Sequence, residues 1–580
     1  MFDRNVKQAL SFVVFVLFAA LPCGRLFAQM SVTGAVSGTV MDASGAVVPG
    51  ATVKLTSETT KQARETISDN EGLFSFTAVP RGTYTLKLEH TGFKSIERTG
   101  IAVSANEKVA LSALTLELGS AAETVTVAAE AAHVATESSE ESASVTTNQI
   151  ANLTARGREV VSMLRTIAGA TYQADQDSPG GQYGTGTPSI RGASANMNIL
   201  AVDGVISNDM GTPSVFSSAT QMDAIGEVKV IMNSYQAEYA GNGGAVVQVV
   251  TKSGGNEWHG NAYWYVRNNA LNANDFFNNR NSVKRPVYKF NTGGFSLGGP
   301  LAIGGLNRSK TKLFGFYNME NLWQRIPNSA ALTYYTMPTA LERTGDFSQT
   351  FDTNGKLIPV NDPNSSPKTP FPGNVVPANR LDPNGLALLK ILPQPNFLNP
   401  AVSGYNYNYQ IQEVQNWPKR FQVFKIDYVP RQNDRIWVRG KTLLSEQQGY
   451  VVASGATPIG FFAQCYCFSE EGIAVGWTHV FSPALVSEMT AGARHNREGW
   501  IPYDDTATPI QNVPIKGNPM STVLRSAIGY TAGQWYPQAN PEGIIPRFNF
   551  NVPNSPNVGF DNRFLKHGTD DTFNWNDTVT

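Results

Sequence analysis

The sequence predicts a mainly β protein in four parts: an export signal, a small β-sandwich, a compact mixed α/β unit, and a transmembrane antiparallel β-barrel whose C-terminal strands are missing. Three observations predict it. A basic and apolar leader opens the chain, and period-two alternation of apolar and polar residues governs two long regions. Between those regions the stretch from Pro188 to Gly260 packs PSIRG, ILAVDGV and GGAVVQVVTKSGGNEWHG into a glycine-punctuated block. No later segment is long and apolar enough to cross a bilayer as a helix, which takes about 20 residues. A membrane crossing therefore requires a closed barrel, because only helices and closed barrels satisfy every backbone polar group in lipid.

Arg4 and Lys7 precede a largely apolar run from Leu10 to Leu21, and Leu26-Phe27-Ala28 offers the small and apolar residues that a signal peptidase reads. Residues 1–28 are read as a cleaved export signal. Cys23 follows Ala20-Leu21-Pro22, which sets leucine and proline where a lipoprotein signal has other residues, so lipidation is disfavoured. The 580 residues carry a formal net charge of -1 and only 16% charged side chains, which leaves no basic footprint for nucleic acid. Plentiful glycine and a slightly negative mean hydropathy fit strands whose apolar and polar faces average out, in a soluble β protein as well as in a barrel.

Residues 33–118 alternate short strands with Gly, Pro, Asp and Asn turns, as a small sandwich does. Val53 and Leu55, then Leu73 with Phe74 and Phe76, then Tyr84, Leu86 and Leu88 give each strand one face for a core. Asp69, Asn70 and Glu71 form a turn with too few ligands for calcium. SGTVMDASGAVVPGATV, SDNEGLFSF and VPRGTYTLKLEHTGF resemble the carboxypeptidase regulatory-like domain, grouped with carbohydrate-binding-like folds. That resemblance implies binding or spacing rather than catalysis.

Residues 119–147 shift to Ala, Glu, Ser, Thr and Val, as a linker would, with one β-branched element, Glu123, Thr124, Val125, Thr126, Val127, Ala128 and Ala129. In residues 148–254, Val160, Val161, Leu164 and Ile167 have helical spacing and stop at Gly169, whereas ILAVDGV, IGEVKVIM and GGAVVQVVTKSGG read as strands. SIRG with Arg191, VDGV with Asp203, EVKVI with Glu227, and YAGNGGAVVQVVTKSGGNEWHG resemble the plug domain of TonB-dependent receptors, and most of all the Oar-like branch. The resemblance implies that Arg191, Asp203 and Glu227 are polar contacts between plug and barrel wall, with turn or solvated-edge residues as the plain alternative. It also implies that residues 123–129 are the box that binds periplasmic TonB; the alternative is a closing strand of the sandwich.

Residues 255–580 alternate as a barrel wall should, with lipid outside and a polar lumen inside. Phe424, Ile426 and Tyr428 share one face and Lys425 and Asp427 the other; Ile436 and Val438 oppose Arg435, Arg439 and Lys441; Val475 and Trp477 lead through a tight turn to Met489, Ala491 and Ala493, opposed by Glu488 and Arg494. Residues 340–400, rich in Pro, Asn, Asp and Gly, are too polar for lipid and are either an extracellular cap or a disordered loop. Cys465 and Cys467 would lie about 6.6–6.8 Å apart on an extended strand, at the edge of what a disulfide spans, so bridge and free thiols both stand. His495 and Glu498 have the H-x-x-E spacing of some zinc enzymes, but no third ligand is in sight. A plugged barrel of about 22 strands at about 10 residues each needs more chain than this, so the sequence reads as the N-terminal part of a longer receptor.

The expected protein is an outer-membrane, TonB-dependent transporter or receptor of a Gram-negative-type bacterium, partnered by TonB and lipid and taking a carbohydrate, peptide or other scarce ligand. No catalytic residue, metal site or cofactor is expected. A surface adhesion protein without transport is the alternative, and an enzyme is the third reading.

Overall fold

The computed structural model describes residues 32–119, 124–128, 140–152, 158, 163–171, 184–186, 189–208, 215–217, 220–234, 243–280, 282–302, 307–327, 332–412, 414–449, 451–452, 455–456, 464–482, 485–502, 524–541, 543–548, 550, 554–556, 558 and 567–579. The leader, Val160 and Val161 lie outside the described residues, as do Glu123 and Ala129.

The sandwich packs two sheets. One holds Thr33–Asp42 against Leu73–Pro80, Lys108–Ala110 and Leu114–Leu116; the other runs in the order Ala63–Ile67, Thr52–Ser57, Gly82–Glu89, Ser95–Val103, Thr124–Ala128. Alternation places Val53, Leu55, Phe74, Phe76, Tyr84, Leu86 and Leu88 in the shared core, and turns Leu73 outward. Asp69 accepts from the backbone N–H groups of Glu71 and Leu73, both at 2.9 Å, which closes a hairpin turn.

The next unit is a mixed sheet in the order Glu141–Val145, Ile225–Asn233, Val246–Thr251, Ile199–Val202, Val205–Ile206. Every residue of Val246–Thr251 is buried, which explains its continuous valine run rather than alternation. Of the expected helix over 158–169, residues 159–162 lie outside the described ones; Met163 is α-helical and runs into a 3-10 turn at Leu164–Thr166, with Leu164 and Ile167 buried in one core with Val228, Val230 and Val247.

Nine strands then form one antiparallel sheet. It starts at His259–Asn268 and continues through Lys289–Pro300, Leu313–Pro327, the pair Val414–Asn416 and Lys419–Arg431, Asp434–Gly449, Gln464–Ser482 and Leu485–Pro502 to His567–Val579. The first and last of these strands have no strand partner on their outer sides among the described residues. Faces sort as alternation demands: Phe424 and Ile426 are 43% and 39% exposed on the outside, whereas Lys425 and Asp427, which alternate with them, are buried against the inner contents. The mixed unit lies on this inner face, and the sandwich meets the short-turn end, where Gln62 Nε2 donates to the Thr311 carbonyl at 2.7 Å.

At the opposite end the 340–400 insert is ordered. Residues 332–412 and 524–558 share an apolar core of Met337, Leu392, Ile545 and Val558, with Leu388, Ile391, Phe548 and Phe550 around it. Arg343 anchors the insert by donating to the carbonyls of Leu389, Leu392 and Pro393. Cys465 and Cys467 are bridged, because their strand brings the Cα atoms to 5.4 Å instead of full extension.

Candidate functional site

The best-defined polar contact between the inner unit and the wall is built on the turn of VDGV. Val202 pairs with Val205 across a two-residue hairpin whose central residues, Asp203 and Gly204, have φ of 47° and 79°. Two left-handed residues in succession make the tight turn that Asp-Gly favours. The turn aims the Asp203 carboxylate at the wall. Lys425 Nζ stands 3.1 Å from Oδ1 and Arg439 Nε 3.5 Å from Oδ2, while Thr251 donates from its backbone N–H at 3.0 Å and its hydroxyl at 2.7 Å. Burial alone would raise the Asp203 pKa, but Lys425, Arg439 and the Thr251 hydrogen bonds hold it at about 2. The group is therefore a permanent anion clamped between two wall cations.

Val205, next in the turn, seats between a tryptophan and two small residues of the wall. It packs with Trp437 and Ala474. A Cβ on Gly492 would come within 2.8 Å of the Val205 methyl carbons, so only glycine leaves room for the turn at that rung. Lys425 and Arg439 are register partners on adjacent strands, and Ala474 and Gly492 extend the same rung.

A second contact lies beyond it. Arg158 pairs with Asp223 within the inner unit and approaches Glu320 of the wall at 3.8 Å, while its guanidinium covers the rings of Tyr263 and Tyr265 at 4.8 and 4.2 Å. Tyr263 donates to Glu320 at 2.7 Å, and Asn261 donates to Asp223 at 2.8 Å. Arg158 and Asp223 were not singled out by the sequence. Arg158 reads there as the start of a helix, and nothing local pairs it with a residue 65 positions away.

The other two residues expected at the wall point elsewhere. Arg191, with φ of 54°, pairs with Glu141 of the inner sheet's own edge strand. Glu227 faces the sandwich: its Oε2 accepts from the Ala105 N–H at 3.4 Å, and burial raises its pKa against the pull of Arg81. Its neighbour Lys229 donates to the Asn106 carbonyl at 3.0 Å and pairs with Glu140 at 2.8 Å. Strand Ile225–Asn233 is buried over most of its length, and the contacts of Glu227 and Lys229 run toward the adjoining domain, whereas Arg191 sits on the turn after Ser189–Ile190. Thr124–Ala128 lies on the sandwich as a strand parallel to Ser95–Val103.

His495 and Glu498 cannot share a metal. An offset of three residues on a strand puts them on opposite faces, and the structure pairs His495 with Asp571 at 2.6 Å and Glu498 with the Tyr466 hydroxyl at 2.9 Å. Among the described residues there is no group of three or more His, Cys, Asp or Glu that could hold a metal ion.

Residues 250–580 match the outer membrane beta barrel domain family, and residues 35–117 match the carboxypeptidase regulatory-like domain. Over 251 residues the chain is 27% identical to the TonB-dependent transporter Oar of Myxococcus xanthus, which covers 41% of this chain and 22% of that protein, so the chain spans about a fifth of the curated relative. Similar solved structures include the outer membrane transporter YddB from Escherichia coli, with 11% identity, 62% of this chain and 39% of that one covered, and a TM-score of 0.38. The siderophore receptor PirA from Acinetobacter baumannii has 13% identity, 62% and 40% coverage and a TM-score of 0.34. With its nine-stranded amphipathic wall, its filled inner face and a matching stretch that takes in more than half its length, this chain belongs to the outer-membrane β-barrel family of Gram-negative bacteria, headed by a carboxypeptidase regulatory-like domain.

Proposed function

We propose that the protein takes up a large or scarce ligand across the outer membrane, drawing on proton-motive energy through TonB, and that the unit at 148–254 is the plug that TonB displaces. The observation that carries this reading is the way the plug is held. Its contacts with the wall include discrete ion pairs, Asp203 with Lys425 and Arg439 and Arg158 with Glu320, and the seat of Val205 against Trp437 and Ala474. Such contacts separate and re-form without loss of the wall's own ladder. A pull on Thr124–Ala128 passes through residues 129–139 to Glu140 and Glu141, where the plug's edge strand begins. Antiparallel pairing of Glu141–Val145 with Ile225–Asn233 is thus the first part of the plug to feel the load.

The chain's own residues perform no bond chemistry in this scheme, and the cargo is a carbohydrate, a peptide or another bulky solute captured at the ordered cap. The cap also favours a second reading, surface adhesion without transport. Deleting residues 123–129 while export stays intact is the decisive experiment. Uptake of labelled glycan, peptide and iron chelate should be lost, as it should with a protonophore. Unchanged uptake overturns the proposal, and binding that survives both treatments with no uptake in the parent supports adhesion.

A further inference from the structure

Where the sandwich, the inner unit and the wall meet, they surround a cavity of about 890 Å³. That is the size of a small-molecule site rather than of a packing gap. Eight lysine and arginine residues line it against two carboxylates, Asp427 and Asp434. Three of the inner cations are spent: Lys425 on Asp203 at 3.1 Å, Arg435 on Asp427 at 2.6 Å, and Arg64 on the Thr77 carbonyl at 2.7 Å. Arg81 and Lys252 are not, for neither forms an ion pair among the described residues.

Arg81 is the single residue between strands Leu73–Pro80 and Gly82–Glu89, so a hairpin tip carries it out of the sandwich. Its guanidinium lies across Gly226 of the inner sheet, where any Cβ would collide with it. Lys252 follows the buried strand Val246–Thr251 and is fixed by its backbone N–H, which donates to the Ala224 carbonyl at 2.8 Å. Burial lowers the Lys252 pKa, and the charges of Arg81 and Arg158 press the same way against the pull of Asp223. The nearby carboxylates are already engaged: Asp223 pairs with Arg158 and accepts from Asn261, and Glu227 accepts from the Ala105 N–H. Two cations that repel each other in a half-buried space lack the counter-charge that burial calls for.

We propose that this cavity binds a compact multivalent anion, a solute bearing phosphate or carboxylate groups, between Arg81 of the sandwich and Lys252 of the inner unit. The planar guanidinium presents paired donors that match two oxygens of either group, and the ammonium supplies a second, compact charge. A monovalent anion balances only one of the two. Because the cations belong to different domains, the bound anion also ties the sandwich to the inner unit. Occupancy depends on neither TonB nor transport, so the site stands apart from the uptake reading.

The test uses the purified full chain in detergent at low ionic strength, with pyrophosphate and citrate as separate calorimetric probes and acetate as the monovalent control. At least one of the two should bind at a single site with which acetate does not compete, and the one that binds names phosphate or carboxylate chemistry. Lys252→Gln and Arg81→Gln should each weaken that binding by about tenfold or more, the scale of a lost charged hydrogen bond. Lys252→Arg keeps the charge and should stay within about threefold of the parent. Lys108→Gln removes the same charge from an exposed strand position outside the cavity and should leave affinity unchanged. Hydrogen exchange locates the probe without any variant: exchange at residues 81–83 and 251–253 of the parent should slow when it is added. Four results each overturn the inference: no binding of either probe to the parent, equal binding in the parent and both glutamine variants, an equal loss in Lys108→Gln, or binding without protection at those residues.

Discussion

Lys425 crosses from the barrel wall to the plug and stops 3.1 Å from Asp203, both side chains almost wholly removed from solvent. Each is the other's compensation for burial, and Arg439 shares the same carboxylate. Asp203→Ala leaves two buried cations without their anion, and breaking a buried pair from one side costs about 3–5 kcal/mol. The expected outcome is a plug that is cleaved early in limited proteolysis while the wall stays intact. Asp203→Asn keeps one acceptor for Thr251 and should fall between alanine and the parent.

The same pair sets a pH dependence. The Asp203 pKa is depressed from 3.8 to about 2 in the folded protein, so its stabilisation is fully present above pH 4 and is lost as pH falls through 2. The linkage is worth about 2 kcal/mol. Plug protection followed by hydrogen exchange should be flat from pH 7 to pH 5 and decline between pH 4 and pH 2. In Asp203→Asn this component of the decline should be absent.

Gly492 tests the seat of the VDGV turn. Gly492→Val sets new carbons against Val205 where even a single Cβ meets it at 2.8 Å, and such overpacking costs about 1–3 kcal/mol. Plug retention should fall. Adding Val205→Ala should recover much of the loss, and a double-mutant cycle measures the coupling.

Ile426 tests the outer face. Ile426→Arg puts a charge on the lipid side at a cost of about 2–4 kcal/mol near the bilayer centre. Folding of the receptor into vesicles, read by the gel shift between heated and unheated samples, should be impaired. Gln422→Arg, on the same face two turns of alternation away and already polar, should fold normally.

Local rules made the wall legible and left the joints obscure. Alternation alone identifies Lys425, Arg439, Lys441 and Arg494 as inward residues, because the period of a strand is a property of a few consecutive positions. The turn at Asp203-Gly204 was equally accessible, since Asp-Gly between valines announces a tight turn, whereas a contact of Asp203 with the wall was implied only by the resemblance. The directions of Arg191 and Glu227 depend on non-local packing: Glu227 lies on a strand covered on both faces, Arg191 on a turn set against Gly169. The parallel pairing of Thr124–Ala128 with Ser95–Val103 has no signature in either segment. A linker and an edge strand are written in the same residues, and only the presence of an accepting sheet separates them.

The common interior of the two surface excursions, where Met337 and Leu392 meet Ile545 and Val558, ties their evolution together. An isolated loop can drift freely in sequence. Here a bulky change in one excursion must be matched by its companion across the apolar contact. Natural variants are expected to alter the rims, such as the exposed Trp535 and Tyr536, and to spare the joined centre.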